Sequence, residues 1–115
     1  MSRNVVFFQT ESGQSPVEKF LDSLTAKQAQ RVIWVLKLIE DLKSVPTQYF
    51  RKMSGTEGIW EVRVKAGSNM FRLLGFFDGS KCVVLAHAFQ KKTKKTPKHA
   101  ILLAERRKRD YFRRK

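Results

Sequence analysis

The sequence predicts one α+β domain: an N-terminal strand, a helical hairpin, an antiparallel β-meander and a C-terminal helix. Three observations predict it. Helix-start signals at Ser15-Pro16 and Thr25 open a stretch of helical apolar spacing, the chain changes to period-two alternation from Ile59, and another proline-marked start follows at Thr96-Pro97. With 115 residues, 42% of them hydrophobic, the chain has material for one core spanning residues 1–115 and little room for a second.

Val5-Val6-Phe7-Phe8 is rich in β-formers and reads as the first strand. Ser15 as N-cap, Pro16 at the first helical position and Glu18 three residues after the cap open a short helix ending near Leu24. Thr25 and Gln28 repeat the capping pattern and open a longer helix, to about Lys43. Its Ala29, Val32, Ile33, Leu36 and Ile39 form an apolar stripe that Val35, Leu38 and Leu42 widen, so a sheet is expected to cover it. Val45-Pro46 stops that helix, and the polar, Gly-containing residues 47–57 read as a loop.

Ile59 to Val64 alternates, with Trp60, Val62 and Val64 on one face and Ile59, Glu61 and Arg63 on the other. A turn at residues 66–69 leads into a strand from Met70 to Phe77. Asp78-Gly79 is a hairpin signal, and Lys81 to Phe89 forms a third strand. The last helix opens with Thr96 as cap and Pro97 inside, packs through Ala100, Leu103, Ala104 and Tyr111, and leaves Arg106 to Arg109 largely exposed. The order β-αα-βββ-α is expected to fold as a single pair of layers.

Charge is concentrated at one end. Residues 91–115 hold twelve of the 24 Lys and Arg and two acids, Glu105 and Asp110, hence +10 of the net +14. Five lysines fall in residues 89–98, between a strand and a helix, where structure holds them in place. This balance points to a polyanion, with nucleic acid ahead of a membrane surface because no basic segment has one clean apolar face. An acidic protein partner stays open. No apolar run approaches the ~20 residues of a membrane span, and the first apolar run is too short for a signal peptide. The lone Cys82 reads as a small buried hydrophobe in a reducing compartment, so a soluble cytoplasmic protein is expected.

The sequence holds no phosphate-cradling Gly-rich loop, and His87, His99 and Cys82 lack zinc-ligand spacing, so neither metal nor cofactor is expected. His87 is either a packed strand histidine or a group titrating near neutral pH. The remaining constellation is cationic: Arg63 and Arg72 on adjacent strands, Lys91 and Lys92 leaving the third, and Lys94, Lys95 and Lys98 beyond. Such a patch can bind RNA through phosphates. It can also cleave RNA by 2′-hydroxyl attack, if its cations stabilise the phosphorane and transfer the protons. A nuclease, a non-catalytic RNA- or ribosome-binding module and a subunit whose patch serves a protein partner are all compatible with these residues.

Gly58-Ile59-Trp60-Glu61-Val62-Arg63, Phe71-Arg72-Leu73-Leu74, the run from His87 to Pro97, and Ala104-Glu105-Arg106-Arg107 together resemble the phage-derived HigB branch of the RelE-type toxins. The resemblance implies a RelE-like fold and an mRNA endoribonuclease, the toxin of a type II toxin–antitoxin pair cleaving ribosome-associated or free mRNA. It also implies a cognate antitoxin, expected to be a helix-turn-helix protein. By position it implies catalytic roles for Arg63, Arg72, Lys92 and Lys95, with Lys95 and Lys98 both falling where such toxins vary their acid/base residue; Lys91, Lys94, Lys98, Arg106 and Arg107 are read as RNA-binding from the basic patch and tail. The sequence departs from the best-known RelE branch in two ways: Glu61 stands where that branch has a lysine, and no tyrosine follows the last strand.

Overall fold

The computed structural model describes residues 2–115. Its elements are β1 (Asn4–Phe7), α1 (Pro16–Asp22), α2 (Ala26–Asp41), β2 (Phe50–Lys52), β3 (Trp60–Ala66), β4 (Asn69–Asp78), β5 (Cys82–Lys91) and α3 (Lys98–Arg113). One mixed sheet runs β1-β5-β4-β3-β2, with β1 parallel to β5 and the other pairs antiparallel. The class is α+β, as the periodicities predict.

The N-terminal half follows its caps. Ser15 accepts the Glu18 amide, and Thr25 with Gln28 forms a complete capping box. Arg3 donates to the carbonyls of Ile39, Leu42 and Lys43, closing the far end of α2 against β1. The buried stripe of α2 is Val32, Val35, Leu36 and Ile39. Ile33, expected in that stripe, is instead 50% exposed. It lies roughly 110° round the helix from the stripe's centre, beyond the reach of the sheet.

Two further expectations need correction. Residues 47–57 are not all loop: Phe50-Arg51-Lys52 forms β2, pairing with Val62, Glu61 and Trp60. Phe50 is buried and stacks on Trp60 at 4.7 Å, but a single inward residue in three shows no alternation in sequence. The sheet is also covered on both faces, giving three layers instead of two. The helical hairpin packs on Val62, Val64, Phe71, Leu73, Val83 and Leu85, while α3 packs on Ile59 and Leu74 through Ala100 and Ala104. The cause is visible in β4, where six successive residues from Phe71 to Phe76 are buried, as in a strand covered on both sides.

A β-bulge decides which residues of β5 face which layer. Leu74 pairs with His87, yet Gly75 pairs with Leu85, so Ala86 is the extra residue. A Cβ on Gly75 would lie 2.3 Å from the Val84 carbonyl oxygen, so the close approach needs glycine. The Ala86 carbonyl, released from the ladder, accepts from Arg107 of α3 at 2.7 Å. Beyond the bulge the alternation is shifted by one. Phe89 and Lys91 therefore share the α3-side face with Arg72, while Ala88 turns to the hairpin.

Candidate functional site

Helix α3 covers part of its side of the sheet and leaves the end around Arg63 and Arg72 open. Register places Arg51 beside Glu61, Arg63 beside Arg72 beside Phe89, and Met70 beside Lys91, all on the α3-side face. At the centre is Glu61, fully buried. Its Oε1 lies 3.4 Å from Arg51 Nε and 3.7 Å from Arg63 Nε, and its Oε2 lies 3.3 Å from Arg72 Nε. Thr96, from the loop before α3, donates to Oε2 at 2.6 Å. One carboxylate thus gathers three guanidiniums and ties the lysine loop to the sheet.

The arginines differ in access. The Arg72 side chain is 3% exposed, Arg63 31% and Arg51 49%. The Nε groups of Arg63 and Arg72 have no aligned hydrogen-bond acceptor, so their contacts with Glu61 are ionic. Burial lowers the proton affinity of Arg72; Glu61 opposes this, and Arg63 and Arg51 add to it. The guanidinium nevertheless stays charged, acting through its field.

A concavity of about 370 Å³ adjoins this cluster, lined by Met70, Arg72, Lys91, Lys92, Thr93 and Lys94. Lys91 is the last residue of β5 and half-buried; Lys92, Lys94 and Lys95 are exposed in the loop that follows. Burial and the charge of Arg72 lower the proton affinity of Lys91, Glu61 opposing and Arg63 and Arg51 adding. Lys95 and Lys98 are exposed and do not line the concavity. Thr93 donates to the Lys95 carbonyl at 2.8 Å, which tightens the turn.

The start of α3 differs from the sequence reading. Pro97 is the N-cap, with no side-chain cap bond, and Lys98 is the first helical residue. Thr96 stands one residue before the cap, and its hydroxyl donates to the charged Glu61 carboxylate.

Arg106 and Arg107 stand elsewhere. With Phe8, Thr10, Arg109, Asp110 and Arg113 they line a second concavity, of about 560 Å³. Of Arg106 to Arg109, expected to be largely exposed, Arg106 and Arg109 are exposed and Arg107 and Lys108 partly so, yet three of the four are engaged. Arg107 holds the bulge carbonyl, Lys108 donates to Glu57 O, and Arg109 pairs with Glu57. The end of the chain is tied down as well: Arg113 meets Asp110 and Glu11, Arg114 reaches Gln9 O, and Lys115 pairs with Asp78. Tyr111 donates to Asp78 at 2.7 Å, which pushes its own phenol up to about 12. It therefore anchors α3 at a distance from Arg72 along the sheet.

His87 lies with its ring 5.4 Å from Phe89 and nearly parallel to it. Burial, with Arg107 and His99 adding, lowers its pKa to about 4, so it is neutral at physiological pH. Among the described residues no cluster of His, Cys, Asp or Glu is placed to hold a metal ion. No described helix is long and apolar enough to cross a membrane.

Sequence reasoning did not find the roles of Glu61, Arg51 and Thr96. The one available signal was an acidic residue alternating with Arg63 on a strand whose other face is apolar. Arg51 was hidden with its strand.

A family model described as Phage derived protein Gp49-like (DUF891) matches residues 19–109. No curated protein matches the chain.

Two outcomes follow from this geometry. Glu61→Gln strands three guanidiniums around a neutral amide and is expected to lower unfolding stability by about 3 kcal/mol, the scale for breaking a buried ion pair. Urea unfolding checks it, and an unchanged midpoint would refute the central position of Glu61. His87 binds a proton less readily folded than unfolded, so stability should decline as pH falls from 6.5 towards 4 and level off below. His87→Gln should remove that part of the decline, measured by urea unfolding across this pH range.

Proposed function

We propose that this chain, which belongs to the phage-derived Gp49-like family, is the toxin of a type II toxin–antitoxin pair and an endoribonuclease that cleaves mRNA. The family is linked to RelE-type toxins and associated with toxin endoribonucleases. The observation that carries the proposal is the convergence of Arg51, Arg63 and Arg72 on buried Glu61 beside a lysine-lined concavity. The fold is read as RelE-like, within the HigB branch.

Cleavage proceeds by attack of the ribose 2′-hydroxyl on the adjoining 3′-phosphate. The pentavalent phosphorane gains negative charge, and Arg72 and Arg63 face it as fixed, partly desolvated cations, whose attraction is strongest in such surroundings. Their positions are set before substrate arrives, so little reorganisation is needed at the transition state. Lys92 adds charge from the rim of the concavity, and Lys95 reaches a neighbouring phosphate from the same loop. Lys94 contacts the RNA backbone at the same concavity and Lys98 further out, and Arg106 and Arg107 hold RNA at the second concavity. The mRNA is bound on the ribosome in the cytoplasm, and a helix-turn-helix antitoxin neutralises the patch.

Glu61 positions the arginines and does not carry the proton. It is buried, with both oxygens engaged. Its charge also limits the mutual repulsion of the three guanidiniums.

Induced expression of the wild-type chain should arrest growth and fragment mRNA. Arg72→Ala should lower the cleavage rate by about 100-fold or more, the scale for removing one preorganised charge donor. Primer extension on ribosome-bound mRNA reads the outcome. Salt-dependent RNA binding without cleavage would refute the enzymatic reading.

A further inference from the structure

We infer that Lys91, the last residue of β5, is the general acid that protonates the departing 5′-oxygen of the cleaved RNA. The inference rests on the endoribonuclease reading above and deepens it by naming a proton donor in the same site.

The bulge at Ala86 is what brings Lys91 to the site. Without the extra residue, β5 would turn Gln90 to the Arg72 face and Lys91 to the helical hairpin. With it, Lys91 pairs with Met70, two residues along β4 from Arg72, and lines the same concavity. Its backbone is held by the β4 ladder, whereas Lys92 and Lys94 belong to an exposed loop. Lys65 occupies the same cross-strand row but is exposed and lies outside the concavity.

Other donors are poorly suited. Guanidiniums do not release protons near neutral pH. Tyr111 is tied to Asp78, and its phenol is held too weakly acidic to respond readily. His87 is neutral. Burial first, and then Arg72, Arg63 and Arg51, loosen the proton of Lys91, and Glu61 retains it. An ammonium that holds its proton less firmly is the better acid.

The step balances as follows. The 2′-oxygen forms a bond to phosphorus while its proton passes to solvent water. The bond from phosphorus to the 5′-oxygen breaks, and that oxygen takes a proton from the Lys91 ammonium. The products are a 2′,3′-cyclic phosphate and a 5′-hydroxyl, and the neutral amine regains a proton from water.

The test compares wild type, Lys91→Arg and Lys91→Met on two RNAs, presented free and ribosome-bound. One RNA has only oxygen at the mapped cleavage position; the other has sulfur as the 5′-bridging atom, which leaves as a thiolate without needing an acid. On the oxygen RNA both variants should lose about 100-fold or more in kcat, the scale of general acid catalysis. On the sulfur RNA Lys91→Arg, which keeps the charge, should recover to near the wild-type rate. An unimpaired Lys91→Arg on the oxygen RNA, or equal impairment on both RNAs, overturns the inference while leaving the endoribonuclease reading in place. Absence of cleavage by the wild type overturns both.

Discussion

A buried carboxylate holds the candidate site together. Glu61 is enclosed in the sheet, where an uncompensated charge would be very costly, and its environment answers with three guanidiniums and one hydroxyl. The same contacts fix Arg51, Arg63 and Arg72 in relation to one another. Without the carboxylate, three cations this close would repel and turn towards solvent. With it, Arg72 stays almost wholly buried and charged, a state seldom reached by a surface cation. Thr96 extends the arrangement beyond the sheet, because the segment between β5 and α3 is joined to Arg72 through the shared Oε2 and to Arg51 and Arg63 through the same carboxylate.

The second constraint is the bulge opposite Gly75. It shifts the alternation of β5, so that residues before Ala86 and after it are sorted differently between the two layers. It also frees the carbonyl that Arg107 holds, and so links the sheet's irregularity to the docking of α3. The loop from Met53 to Gly58 is fastened to the same helix, since Glu105 accepts the Glu57 amide and Lys108 reaches its carbonyl. Basic residues that look like free charge in the sequence are thus divided. Those on α3 largely brace the fold, and those at the end of β5 surround the open concavity.

Much of the architecture was legible because it rests on local rules. The caps at Ser15 and Thr25, the alternation after Ile59 and the Asp78-Gly79 turn act within a few residues, and the corresponding elements form. What was not legible depends on partners distant in sequence. The three residues of β2 become a strand only through pairing with β3. Thr96 has the sequence context of a cap, but a carboxylate 35 positions earlier engages its hydroxyl. Gly75 hinted at an irregularity, yet which lysine shares the face of Arg72 follows only from the bulge on the partner strand. Glu61 read as a departure from a cationic pattern, and its burial among arginines explains how that pattern accommodates it.

The proposed phosphate chemistry lies where fixed, desolvated cations meet a lysine-lined opening, within a family linked to RelE-type toxins. Its defining step is attack by the RNA's own 2′-hydroxyl, and the ends of the fragments report on this directly. Mass spectrometry of oligoribonucleotides released from ribosome-bound mRNA should find 2′,3′-cyclic phosphate on the upstream fragment and 5′-hydroxyl on the downstream one. A 5′-phosphate on the downstream fragment would show that water, not the ribose, attacks, and would contradict the account.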